Sequence, residues 1–389
     1  MTARARDGSV AGGGDPMGAG SGRPGLAPLG WDGPFEACFG DHAGPGIEPG
    51  RVMATHRETS IVRVASGDLA AHVSGRFRRE ALGPGDYPAV GDWVAIEARL
   101  AEHSGTVHAV LPRRSAISRT AGDSNRRGGG RAADEQVLAA NVDVALLVEA
   151  IDRRVHLTRL ERYLALAWGA GVTPVIVLNK IDASPDPGAA EAAVAAIAIG
   201  VDVRPVSAMT GAGLASLAPH LVAGRTAVVL GPSGVGKSTL MNALLGEERA
   251  ATSAVRTSDG RGRHTTTHRE LVPLPGGALL VDTPGIRSLE LLGDEGVAAT
   301  YGDIETLADG CRFGDCSHES EPGCAVRAAL AEGRIDRRRW AGYEKLRREA
   351  AHLARQTDRS LREAERRRWK AISKSVGAHM RRKYGEDTA

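Results

Sequence analysis

Aromatic residues are scarce in this 389-residue sequence, at 4% in total. Cysteine is rarer still, with four in the chain, too few for a disulfide-stapled scaffold. No apolar run approaches the roughly 18 residues that span a bilayer, so a membrane protein of the helical kind is not expected. Arg4 and Arg6 near the start are not followed by the apolar core of a signal peptide. These absences predict a cytoplasmic protein whose few cysteines serve some purpose other than cross-linking; a monomer is expected. The length is that of two or three domains.

Glycine, by contrast, is abundant. The first 50 residues contain 14 Gly and 6 Pro without periodicity, which predicts a disordered extension over residues 1–50, interrupted by Trp31, Phe35 and Phe39. From Arg51 to Ser118 the pattern changes to short runs rich in β-branched residues. Thr59–Val64, Leu69–Val73, Asp92–Ile96 and Gly105–Leu111 read as strands of a small barrel of about five strands, residues 51–118, of the kind that often binds oligonucleotides. Arg76, Arg78, Arg79, Arg113 and Arg114 add positive charge near its turns. Residues 119–134 carry Asn125-Arg-Arg-Gly-Gly-Gly-Arg131 and read as a basic linker.

Beyond the linker the periodicity changes again. Val142–Val148, Thr173–Leu178, Val203–Val206, Ala227–Leu230 and Ala278–Val281 are short, continuous apolar runs. They alternate with helical segments at Leu157–Trp168, Ala189–Ile199 and Leu214–Val222. This alternation predicts a three-layer α/β domain over residues 135–300 with a largely parallel sheet.

Within it, Gly231-Pro232-Ser233-Gly234-Val235-Gly236-Lys237-Ser238-Thr239 has the spacing G-x-x-x-x-G-K-[ST] and stands where a strand feeds a helix. Such a loop turns backbone N–H groups toward phosphate oxygens at a helix N-terminus. Lys237 then reaches the β- and γ-phosphates, and the Ser238 hydroxyl suits Mg²⁺. Asn179-Lys180-Ile181-Asp182 has the form N-K-x-D. The Asp182 carboxylate can accept from guanine N1–H and the exocyclic amine together, a donor pair adenine lacks. Asn179 suits the other edge of the base, and the Lys180 stem its face. Ser207-Ala208, after the next strand, matches a second base-contact motif. Asp282-Thr283-Pro284-Gly285 has the D-x-x-G form, with Asp282 toward Mg²⁺ and the Gly285 N–H toward the γ-phosphate. Of Thr265, Thr266 and Thr267, Thr266 is chosen as the switch ligand of Mg²⁺, with Thr265 second. Where a water-positioning glutamine would stand, after Gly285, the chain has Ile286. His264 is the candidate to replace it, with Arg261, Arg263 and His268 as alternatives.

The order of these motifs is unusual. N-K-x-D and S-A precede the phosphate loop instead of following it. With Val90–Trp93, Leu111–Ile117 and Ala139–Asp143, the chain resembles the circularly permuted RsgA (YjeQ) GTPase family from about Arg51 to its C-terminus. The resemblance implies an N-terminal OB barrel, a permuted GTPase domain and a C-terminal zinc domain. It also implies the 30S ribosomal subunit and its 16S rRNA as partners, GTP and GDP as ligands, and His264 as a catalytic residue.

Cys311, Cys316, His318 and Cys324 lie within fourteen residues. Three thiolates and an imidazole suit one structural Zn²⁺ with no open position, in a stretch too poor in apolar residues to build a core. Cys38 stands apart. Between Arg334 and Lys383 there are 18 Lys/Arg against 6 Asp/Glu, an excess of twelve on a chain of net charge +3, leaving about −9 elsewhere. The region 301–389 therefore reads as a zinc-binding, basic helical domain for which RNA is the natural partner. Two other function classes fit the same motifs: a GTP-dependent RNA-binding module with incidental hydrolysis, and a signalling GTPase with protein partners.

Overall fold

Strand β1 (Ile47–Thr55) touches three neighbours. Its first half pairs with β4 (Trp93–Arg99), its second half with β2 (Ser60–Val64), and its last two residues with a strand of the central domain. A register shift between Val52 and Ala54 lets one strand bend between these partners. With β3 (Gly67–Val73) and β5 (Ser104–Val110), the order β1-β2-β3-β5-β4 closes on itself through β1–β4, so the predicted five-stranded barrel is present. Alternate residues point inward: Val52, Val62, Leu69, Val94, Ile96 and Val107 fill it. The computed structural model describes residues 23–56, 59–121, 134–247, 269–282 and 294–355.

The disordered extension expected over residues 1–50 needs correction. Residues from 23 onward are described, and Gly33–Gly40 form helix α1, capped at its start by the Asp32 carboxylate. Trp31, Phe35 and Phe39 are buried, and Trp31 meets the barrel's Trp93 edge-to-face with ring centroids 4.7 Å apart. Arg51 lies under this segment and is 2% exposed. Its guanidinium donates to the carbonyls of Leu29, Gly91 and Asn141 and to the Thr226 hydroxyl. One side chain thus ties the N-terminal segment, the barrel and the central sheet together. Burial lowers its pKa to about 10, and Asp143 and Asp92 counter that.

Helix α2 (Gly75–Glu80) interrupts the barrel between β3 and β4. The region read as a linker begins and ends in strands: β6 (Ala116–Ala121) and β7 (Asp134–Ala140) pair as an antiparallel hairpin. Arg113 and Arg114, counted above as available cations, serve internal contacts. Arg113 grips Asp92 with two nitrogens, at 2.8 and 2.7 Å, and Arg114 pairs with Asp32.

The central sheet runs β10-β9-β8-β11-β13-β12. Its strands are β8 (Val144–Ala150), β9 (Thr173–Asn179), β10 (Asp202–Pro205), β11 (Thr226–Leu230), β12 (Arg269–Pro273) and β13 (Leu279–Asp282). All are parallel except β12. Every residue of β8 and β11 is buried, as strands covered on both faces require. One face packs on α3 (Leu157–Gly169). The other packs on α5 (Lys237–Leu245) and on Leu214–His220, a 3₁₀ helix containing Pro219. Helix α4 (Pro187–Ala195) connects β9 to β10. The strand β12 was not expected from sequence.

The C-terminal region packs on α3. Helix α6 (Glu295–Thr300) comes so close that a Cβ on Gly296 would lie 2.0 Å from the Ala165 carbonyl oxygen. Helices α7 (Gly302–Ala308) and α8 (Ala325–Ala331) and a helix over residues 337–355 follow. Glu161 of α3 is fully buried and takes a hydrogen bond from Arg339 at 3.1 Å. Arg339 also holds Asp303, and Arg162 pairs with Glu349 through both nitrogens. Part of the basic run is therefore turned inward to fix this region on the central domain.

Candidate nucleotide-binding site and metal cluster

Three of the sequence motifs converge at the carboxyl ends of the parallel strands. β11 ends in the phosphate loop, and α5 begins at Lys237. Two glycines are demanded there by close approach. Gly231 has φ +149°, and a Cβ would meet the Val148 carbonyl at 2.3 Å. Gly236 has φ +92°, and a Cβ would meet the Asn179 amide nitrogen at 2.4 Å. Lys237 Nζ donates to the Pro232 carbonyl at 2.7 Å, folding back over the start of the loop. Val235 is buried beneath it, while Ser233 and Gly234 are exposed. Ser238 and Thr239 follow in the first turn of α5. Backbone donors at a helix start, beside a lysine, form a ready anion site.

Asn179 is 2% exposed and joins this loop to the base-contact motifs. Its Nδ2 donates to the Val235 carbonyl at 2.8 Å, and its Oδ1 accepts from the Ala208 N–H at 2.9 Å. Ser207 is buried, and its hydroxyl accepts from the Thr210 N–H at 3.1 Å, shaping the turn that carries Ala208. Lys180 adopts a left-handed conformation, φ +69°, and its Nζ pairs with Asp152 at 2.8 Å. Asp152 was missed by sequence reasoning. It lies just beyond β8, whose last residue Ala150 pairs with Asn179, so only the sheet register brings it to Lys180. Ile181 and Asp182 sit in a short 3₁₀ turn, with Asp182 exposed. Asp282 ends β13, neighbour to β11. His264, Thr265, Thr266 and Gly285 lie outside the described residues, as do Arg261, Arg263, His268, Ile286 and the basic segment after residue 355.

This arrangement gathers the motifs expected of a guanine-nucleotide site, with the base motifs first in the chain. The family model described as RsgA GTPase matches residues 110–292. A small ribosomal subunit biogenesis GTPase RsgA of Opitutus terrae is 48% identical over 366 residues, covering 92% of this chain and 98% of its own. The chain belongs to the RsgA GTPase family. A protein of the same name from Streptomyces coelicolor is 43% identical over 358 residues, spanning 90% of this chain and 94% of its own. The crystal structure of YjeQ from Thermotoga maritima covers 77% of this chain and 97% of its own, with a TM-score of 0.57 and 26% identity. YloQ, a circularly permuted GTPase, shares the fold at a TM-score of 0.55 and 24% identity, over 80% and 96% of the two chains. RsgA proteins are GTPases, so the chemistry expected from the motif order is that of the family.

The second cluster stands apart from the nucleotide motifs. Cys311, Cys316, His318 and Cys324 bring four ligand atoms within 4.8 Å of one another. Cys311 Sγ is 3.9 Å from Cys324 Sγ and 3.6 Å from His318 Nδ1, and Cys324 Sγ is 3.5 Å from the same nitrogen. A tetrahedron with bonds of about 2.0–2.3 Å has edges of roughly 3.3–3.8 Å, so these spacings fit a four-coordinate ion. Burial, helped by Arg347, holds the His318 imidazole below its ordinary pKa, which keeps a lone pair available. Burial opposes ionisation of Cys311, but the amides of Val326 and Ala325 outweigh it and lower the thiol. Cys324 caps α8, accepting from the Arg327 N–H, so the cluster is fixed to that helix. The His318 ring meets Trp340 edge-on at 5.8 Å. Cys38, in α1, takes no part.

Proposed function

We propose that this chain is a GTPase that binds the small ribosomal subunit, assists its late maturation, and leaves after hydrolysis. The observation that carries this reading is the position of Asn179, bonded at once to the phosphate loop and to the turn of Ala208. One side chain links three motifs that a guanine-nucleotide site needs and that the permuted sequence separates. The names of the relatives, small ribosomal subunit biogenesis GTPase, support the subunit as partner, and 16S rRNA is the RNA the chain would meet there.

In this reading residues 231–239 hold the phosphates. Asp182, Lys180 and Asn179 read guanine, with the backbone at Ser207 and Ala208 closing its other side. Lys237 lies against the β- and γ-phosphates and stabilises the charge that develops there. Ser238, Thr266 and Asp282 would hold Mg²⁺, which neutralises phosphate charge when bound. The Gly285 N–H meets the γ-phosphate. Ile286 cannot orient a water, so His264 takes that role, and turnover on the free protein is slow. The four-residue cluster holds one structural Zn²⁺. The protein works in the cytoplasm as a monomer.

The test is single-turnover GTP hydrolysis with and without purified 30S subunits. Wild type should be stimulated strongly. Lys237→Ala should abolish turnover. His264→Ala should keep GTP affinity and subunit binding but lose most of the stimulated rate, a factor of about 10²–10⁴. Stimulation of His264→Ala equal to wild type would remove His264 from the mechanism. Absence of any response to 30S subunits in wild type would overturn the ribosomal reading.

A further inference from the structure

A cleft of about 760 Å³ opens where the barrel, α2, the β6–β7 hairpin and strand β12 meet, and no residue of the phosphate loop lines it. None of the described residues lining it is acidic. Its basic side chains come from three elements: Arg78 at the end of α2, His56 after β1, and Arg269 at the start of β12. Arg78 is exposed and has no ion-pair partner among the described residues. In this it differs from Arg76 on the same helix, which pairs with Glu80 at 2.8 Å. The hydroxyls of Thr59 and Ser60 add further polar groups.

Apart from Thr55 and Gln136, the remainder of the lining is largely apolar. Val73 and Val107 of the barrel face the cleft together with Leu82 and Tyr87 of the segment after α2. Leu82 is 79% exposed and Tyr87 39%. Tyr87 is held edge-on by Phe77 at 5.7 Å, so its ring is fixed while remaining accessible. Cations and hydroxyls beside an accessible aromatic ring, without a carboxylate, suit an anion carrying a flat apolar body. A nucleotide has that chemistry: phosphate for the arginines, base for the ring. The cleft's volume of about 760 Å³ has room for such a unit.

We propose that this cleft takes one unpaired nucleotide of an RNA strand, its phosphate on Arg78 and its base against Tyr87. The inference rests on the ribosomal reading above for the source of the strand, and it deepens that reading by naming the contact. Arg269, on the lining, follows Thr266 closely in sequence.

The experiment uses full-length protein and 5′-fluorescein-labelled single-stranded RNA pentamers, read by anisotropy across a salt series. Arg78→Glu should weaken binding about tenfold and lower the salt slope by about one to two. Arg76→Glu makes the same change of charge on the same helix, off the cleft, and should weaken binding less than about threefold. Tyr87→Ala should weaken it by about 5–100-fold with an unchanged salt slope. A 4-thiouridine pentamer should cross-link within residues 78–88. Equal losses from Arg76→Glu and Arg78→Glu would mean a diffuse field and overturn the proposal, as would cross-links confined to other regions. Tight binding of free AMP, comparable with the pentamer, would overturn the assignment to RNA. Basal GTP hydrolysis of these variants should be that of wild type. Because pentamer binding is measured without ribosomal subunits, failure of the cleft and failure of the subunit reading give different results.

Discussion

The side-chain amide of Asn179 lies 2.8 Å from the carbonyl of Val235, so the base-recognition motif holds the phosphate loop directly. Both residues are buried, and neither group has water to fall back on. Removing the amide leaves the Val235 carbonyl and the Ala208 N–H unpaired. Asn179→Ala should cost about 1–3 kcal/mol in nucleotide binding, or roughly 5–150-fold in Kd, for GDP as well as GTP. Titration with a fluorescent GDP analogue checks this. Unchanged affinity would mean the loop holds its shape without the bridge.

Asp182 tests a different property, the identity of the base. Asp182→Asn replaces one of two acceptors with a donor, so the guanine donor pair is no longer matched. The variant should lose most of its preference for GTP over ATP and gain affinity for XTP, whose C2 carbonyl accepts from an amide. Competition binding of the three nucleotides reads the change. Retained GTP-over-ATP selectivity would place guanine recognition elsewhere.

The contact between α3 and the C-terminal region rests on a buried charge pair. Arg339→Leu would leave Glu161 buried with Arg338, 3.7 Å away, as its remaining ion-pair partner among the described residues. A stability loss of about 3–5 kcal/mol is expected. Glu161→Leu combined with Arg339→Leu should recover much of it, because a pair of apolar groups leaves fewer charges stranded, although Asp303 also loses a partner. Urea unfolding of the two single variants and the double variant measures the coupling. Additive losses would show that the pair does not act as a unit.

Acid should loosen the N-terminal segment. Burial alone would raise the pKa of Asp32, but hydrogen bonds from Arg114 and the Phe35 N–H outweigh it and bring it below the ordinary 3.8. A lowered folded-state value means the stabilisation is present above about 3.8 and is lost as pH falls through the folded value. Tryptophan fluorescence should report release of Trp31 from Trp93 over that range, ahead of global unfolding. In Asp32→Asn the step should be absent and the segment looser at neutral pH. An identical acid transition in that variant would assign the step to other carboxylates.

Metal removal should be felt through Trp340, whose ring packs against His318. Intact protein should contain about one Zn²⁺, and chelation or Cys324→Ala should release it, shift Trp340 fluorescence and loosen the region from residue 301 onward. GDP binding should persist. Elemental analysis showing no zinc in the intact protein would refute the assignment of the metal.

The nucleotide motifs were legible because each depends on a few residues at fixed spacing beside a strand. The parallel strands were legible because burial on both faces writes a continuous apolar run. What composition concealed was the N-terminal segment. Its glycines and prolines suggest disorder, yet Trp31, Phe35 and Phe39 recur every four residues, a helical stripe in plain view. Their partner Trp93 is distant in sequence, and local patterns cannot supply it. The same limit applies to arginine. Arg113 and Arg339 look like surface cations until Asp92 and Glu161, each far along the chain, are brought beneath them. β12 was missed because only five residues form it and its pairing with β13 and β1 does more than its own pattern to define it.

That short strand also decides where the protein can be divided. β12 would be the outermost strand of the central sheet, but Ala54 and Thr55 of the barrel pair with its open side at Glu270 and Arg269. A bare sheet margin is an invitation to another chain, and here the barrel acts as a stopper. A truncation starting after the barrel would keep every nucleotide motif and still uncover that margin, yielding a sticky product. The shortest soluble fragment that binds nucleotide must therefore begin upstream of β1, although the motifs expected to read the base start only at Asn179.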